Sequence, residues 1–130
     1  MRAGKYAAVR VTSDLEPEIN ARLAGAERLL ASAAMVGDGQ DHALWRASRE
    51  LWVRGTSDAL EAQVDAGVMG AFARAVTPPP GEGSVAEDLP VEMEAIRRGM
   101  AVLIGIRSQA VSAPPDARPE TERRGLRLGP

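Results

Sequence analysis

The amino-acid sequence predicts an all-α protein: a small bundle of three to four helices with an extended arm in front and a disordered tail behind. Three observations carry this. Apolar residues recur at three- and four-residue steps through most of residues 14 to 111, the period that lines one side of a helix. Capping residues stand before these stretches, and Gly or Pro clusters stand after most of them, as helix ends require. Strand-like alternation is confined to residues 5–11, and 130 residues is the length of one domain.

Residues 1–12 are read as the arm, in which 5–11 would place Tyr6, Ala8 and Arg10 on one side of an extended segment. A first helix is expected over about 14–36. Ser13 or Asp14 caps it, Glu16 and Glu18 complement its positive end, and Pro17 is tolerated in its first turn. Ile19, Leu23, Ala26, Leu30 and Ala33 form its stripe, and Gly37-Asp-Gly39 ends it. A second helix over 41–54 carries Leu44, Trp45, Leu51 and Trp52 as one broad apolar face. Gly55 followed by Thr56, Ser57 and Asp58 combines a C-terminal residue with fresh N-caps, so a break is expected there. A third helix over 57–76 carries Leu60, Val64, Val68 and Phe72 and stops at Pro78-Pro79-Pro80.

Residues 77–84 are read as a linker inside a helical domain spanning 13–112. Ser84 and Glu87 have capping-box spacing, and Asp88 with Pro90 offers a second start for a last helix over about 88–111. Met93, Ile96, Met100, Leu103 and Ile104 are read as one face, with Val102 and Ile106 on the opposite side. Apolar character on two sides predicts a helix at the centre of a bundle or one covered by another chain. Residues 113–130, rich in Pro, Arg and Glu, are read as a disordered tail.

Composition narrows the function classes. Of the 45% hydrophobic residues, twenty-three are Ala, and the only aromatics are Tyr6, Trp45, Trp52 and Phe72. The core is therefore lean for a domain of this length. Without cysteine there is no disulfide, thiolate metal site or cysteine nucleophile. The apolar run 100–106 is far short of the ~20 residues a membrane helix needs, and residues 1–12 lack the continuous apolar stretch of a secretory signal. A cytoplasmic protein or part of an intracellular particle is expected, with no membrane partner. Sixteen Lys+Arg against eighteen Asp+Glu leave a net charge of -2, too small to draw the whole protein to nucleic acid.

No catalytic motif stands out, and no enzyme activity, cofactor, metal site or small-molecule substrate is expected. Asp38, Asp41 and the lone His42 cluster near a helix start. The acids read as turn and cap groups, and His42 reads as an exposed first-turn residue. Glu61 and Asp65 lie four apart, the spacing of a carboxylate pair on one helix face, and read as a solvated acidic face. A helix-turn-helix at Gly55 is disfavoured because Asp58, Glu61 and Asp65 would face the phosphates.

The leading expectation is a protein-protein interaction or assembly module, acting as a homo-oligomer or as a small subunit of a larger complex. Trp45, Trp52, Met93, Met100, Val102 and Ile106 are the candidate partner-binding residues, since large apolar side chains dominate both cores and interface hot spots. The alternative is a nucleic-acid-associated regulator using Arg46, Arg49 and Arg54, or Arg123, Arg124 and Arg127 of the tail, for phosphate contact.

Overall fold

A computed structural model of the chain describes residues 15–112; the expected arm 1–12, the expected cap at Ser13 or Asp14 and the expected tail 113–130 lie outside them. Four α-helices and one 3-10 turn make up the described residues: α1 (Leu15–Ser32), the turn Ala33–Met35, α2 (Gly39–Leu60), α3 (Ala66–Val76) and α4 (Val85–Ser112).

In α1, Leu15, Ile19, Leu23, Ala26 and Leu29 are buried at steps of three and four, while Glu16 and Glu18 sit in the positively polarised first turn. The Ser32 hydroxyl donates back to the Leu29 carbonyl at 2.9 Å, and the chain turns extended at Val36. Asp38 caps α2, its carboxylate accepting from the Asp41 N–H at 2.8 Å. The Asp41 carboxylate in turn accepts from the N–H of Gly37, just before the cap, at 3.0 Å, so the two acidic side chains fix the helix start.

Contrary to the expected break at Gly55, α2 runs on to Leu60. Tertiary packing overrides the local signal. Continuing the helix keeps Trp52, Thr56 and Leu60, four residues apart, on the buried face. Gly55 meets a different need: a side chain there would stand 3.2 Å from the Arg22 guanidinium that crosses it. The helix break falls instead over 61–65, where the Gln63 and Val64 amides both donate to the Leu60 carbonyl. Asp65 then caps α3 by accepting from the Val68 N–H at 2.9 Å.

α3 ends at the proline run. Its last carbonyls are covered by arginines from both neighbours, Arg49 Nη1 to Val76 O and Arg98 Nε to Ala75 O, each at 3.2 Å. Residues 77–84 are non-helical. Ser84 then starts α4 by accepting from the Glu87 N–H at 3.1 Å. The helix begins about one turn before the expected start, with Pro90 carried inside it.

α4 packs against α1 and α3, and α2 packs mainly on α1. The two tryptophans fix that second pairing. Trp45 Nε1 donates to Leu29 O at 2.9 Å and Trp52 Nε1 to Arg22 O at 2.8 Å, so α1 and α2 run antiparallel. Trp52 also tilts against Phe72, with ring centroids 5.8 Å apart and the planes at 60°, within the range of favourable aromatic contact. Phe72, Leu15, Ile19, Leu60, Ile96 and Leu103 are fully buried at the centre. Gly99 makes the approach of α3 to α4 possible, because a methyl group there would overlap Val76 Cγ1.

The two-sided reading of α4 is corrected. Ile106 is buried on the same face as Ile96, Leu103 and Ala110, since steps of three, four and seven residues keep a helix face in register. Met93, Met100 and Val102 flank that face and are half-buried against the core.

Candidate interaction surfaces and a buried charged clamp

The most concentrated polar chemistry lies between α2 and the start of α4. α2 places His42 and Arg46 one turn apart, and α4 places Asp88 and Glu92 one turn apart, running the opposite way. His42 Nε2 contacts Glu92 Oε1 at 2.5 Å, and Arg46 Nε donates to Glu92 Oε2 at 2.6 Å. Arg46 Nη2 reaches Asp88 Oδ2 at 3.3 Å. Asp88 also accepts from the Glu82 N–H at 2.6 Å and the Gly83 N–H at 3.1 Å, tying the linker to the helix it precedes.

The amide of Glu82 holds the Asp88 carboxyl below its ordinary value. The Gly83 amide and the Arg46 guanidinium act in the same direction, and burial opposes them. His42, Asp88 and Glu92 are all buried, whereas the Arg46 side chain is 40% exposed. A histidine held by a carboxylate is one half of a base-and-orienter pair. Here Glu92 bridges His42 Nε2 and Arg46 Nε, and Trp45 lies 6.3 Å from the imidazole ring. The arrangement works as a clamp joining α2, α4 and the linker.

This clamp corrects the reading of His42 as an exposed residue: it is 4% exposed. Beginning α2 at Gly39 puts His42 on the side that also carries Trp45 and Thr56, facing α4. The signal that would have found it was a pair of matched spacings, His42 with Arg46 and Asp88 with Glu92, each four apart. Asp38 and Asp41 serve as the turn and cap groups expected of them. Glu61 and Asp65 do not share a helix face, because Asp65 is the N-cap of α3. Among the described residues, no three His, Asp or Glu side chains converge as a metal site, and no described helix is long and apolar enough to cross a membrane.

Of the six candidate partner-binding residues, three are buried and three are half-buried. Trp45, Trp52 and Ile106 are buried in the chain's own core, and Met93, Met100 and Val102 pack against it. Burial of the indoles against α1, with both N–H groups satisfied, leaves them no free face to offer. Of the candidate basic residues, Arg46 is held by Glu92 and Asp88, Arg49 donates to a backbone carbonyl, and Arg54 is exposed. Arg123, Arg124 and Arg127 lie outside the described residues.

The structure instead exposes a different apolar set. Met35 is 81% exposed, and Leu44 and Leu51 are each 66% exposed. Leu44, Ala47 and Leu51 follow a three-then-four step along the outer side of α2, and Met35, Val36 and Leu44 border a shallow depression of about 260 Å³ at its start. A second depression, about 460 Å³, lies between the end of α2 and α3, bordered by Glu61, Val64, Met69 and Gly70. Sequence reasoning grouped Leu44 and Leu51 with the tryptophans on one face. The face is too wide to be covered entirely, and the larger indoles took the inner position. Comparison with protein-family models, with curated proteins and with solved structures returned no match.

Proposed function

We propose that this chain is a non-enzymatic helical module that works by binding another protein, as a homo-oligomer or as a small subunit of a larger assembly. The observation that carries this reading is the outer row of α2, where Leu44 and Leu51 stand two-thirds exposed beside Met35. Single exposed leucines are ordinary on protein surfaces. Three large apolar side chains grouped at one end and along one face, with Ala47 between the leucines, form the kind of patch that marks an interaction site. A helix offering such a row suits a groove or a second helix on a partner. In the His42–Glu92 clamp, the richest polar cluster, both Glu92 oxygens are engaged by His42 and Arg46 of the same chain, which favours a structural role over chemistry.

Phosphate contact, the alternative reading, has less support, because two of the three candidate arginines on α2 are bound to groups of this chain. The test is affinity recovery of the full chain from its source cell, followed by light scattering on what is recovered, for wild type and for a Leu44→Glu/Leu51→Glu variant. The expected result is a reproducible protein partner or self-association, lost in the variant while its melting temperature is unchanged. A wild-type protein that stays monomeric at micromolar concentration and recovers no reproducible partner overturns the reading. Association that weakens steeply with added salt would point to phosphate contact instead.

A further inference from the structure

The depression between α2 and α3 is built differently from the outer row of α2. Ala66, Met69, Gly70 and Ala73 border it, placed at steps of three, four and seven residues along α3. On a helix these four positions enclose the hole that one side chain of a facing helix fills. Three of the four are Ala or Gly, so little at those corners stands above the backbone, and Val64 gives the depression of about 460 Å³ a further apolar wall. Ala66 and Ala73 are exposed and Met69 and Gly70 half-buried, while Phe72 and Val76, on the other side of α3, are buried in the core.

Charge sets this depression apart from the one at the start of α2. Asp58 and Glu61, one turn apart near the end of α2, are exposed, and Glu61 borders the depression itself. Neither carboxylate makes an ion pair among the described residues. Asp38 and Asp41, at the start of α2, are by contrast engaged as cap groups. One cation stands close by, since a side chain added at Gly70 would begin 3.3 Å from Arg74 Nη1. Two unpaired carboxylates against one guanidinium leave the border acidic, and Asp65, the cap of α3, adds a third negative charge.

We infer that this groove receives a cationic amphipathic helix of a partner protein, with one large apolar side chain in the hole of Ala66, Met69, Gly70 and Ala73 and with lysines or arginines against Asp58 and Glu61. A helix is the form that carries apolar anchors on one side and cations beside them. The small corner residues let it approach closely, and the free carboxylates select basic helices over acidic ones. The inference goes beyond the outer row of α2, since it uses neither Leu44 nor Leu51, and either surface can fail without the other.

The probe is a synthetic helical peptide with leucines at i, i+3, i+4 and i+7 and lysines between them, and its control carries glutamate in place of every lysine. Methionine methyl spectra of the full-length chain report where it binds. The lysine peptide should shift the Met69 signal saturably and leave Met35 in place, although Met35 also borders an apolar depression beside an acid, Asp41. Glu61→Lys should weaken its binding by roughly fivefold and strengthen that of the glutamate peptide, a reversal that a merely destabilised fold would not reproduce. Ala66→Leu/Ala73→Leu fills the hole from two exposed positions and should abolish the Met69 shift with the melting temperature unchanged. The inference is overturned if Met69 does not move, if the two peptides bind alike, or if Met35 moves with Met69. It is equally overturned if Met69 shifts when the protein alone is concentrated, which would make the occupant a second copy, or if the peptide binds only after residues 1–12 are removed, which would make the occupant the chain itself.

Discussion

Replacing Glu92 by alanine tests the clamp most directly. The carboxylate is 6% exposed and accepts from His42 at 2.5 Å and Arg46 at 2.6 Å. A hydrogen bond to a charged group contributes about 1.5–3 kcal/mol, and a buried donor left without a partner costs about 1–3 kcal/mol. His42, 4% exposed, cannot be rehydrated in place and carries most of the loss. Arg46 is 40% exposed and keeps Asp88, so its share sits at the low end. The expected cost is about 3 kcal/mol, or a fall in melting temperature of roughly 12 °C for a domain of this size. Urea unfolding followed by circular dichroism measures it, and the midpoint should fall with an unchanged slope. A His42→Leu/Glu92→Leu variant should recover most of the loss, because apolar replacement of a whole buried pair is often neutral. If Glu92→Ala costs less than about 1 kcal/mol, or if the losses at His42 and Glu92 simply add, the two residues are not coupled and the clamp is not what joins α2 to α4.

Further expectations follow from single sites. The Asp88 carboxyl is held below its ordinary value of 3.8, so its contribution to stability is complete above that pH and is lost as pH falls through the lower folded value. Asp88→Asn should therefore be less stable than wild type at neutral pH and show a shallower loss in acid; identical acid limbs would contradict this. Gly99→Ala would bring a methyl onto Val76 Cγ1 and within 3.3 Å of Phe72. Overpacking of about 1–3 kcal/mol should exceed the ~1 kcal/mol of helix propensity gained, and a raised unfolding midpoint would refute that. The Thr56 hydroxyl is fully buried with no hydrogen-bond partner among the described residues, so Thr56→Val should stabilise the protein by about 1 kcal/mol; a loss in thermal unfolding would mean that the hydroxyl does find a partner.

Much of the helix content was legible because its causes are local. Asp38 and Ser84 were read as capping groups, and the stripe Ile19, Leu23 and Ala26 is buried as its spacing requires. Each of these depends on residues within one or two turns. Gly55 misled for a complementary reason: the local cost of glycine inside a helix is about 1 kcal/mol, less than the burial of Thr56 and Leu60 that continuing the helix secures. Each half of the clamp shows a four-residue spacing, but the two halves lie some fifty residues apart, and nothing local says that they meet.

By itself, the amino-acid sequence determined that the chain is helical, roughly where helices start and stop, and which residues were apolar enough to be buried. Tertiary structure alone decided the sharing of the α2 face between two buried tryptophans and two exposed leucines, the turning of Ile106 inward, and the pairing of His42 with Glu92. The physical reason is that caps and periodicity act within a few residues. Which of several apolar or charged side chains faces inward depends on the volume and charge that another helix brings against it.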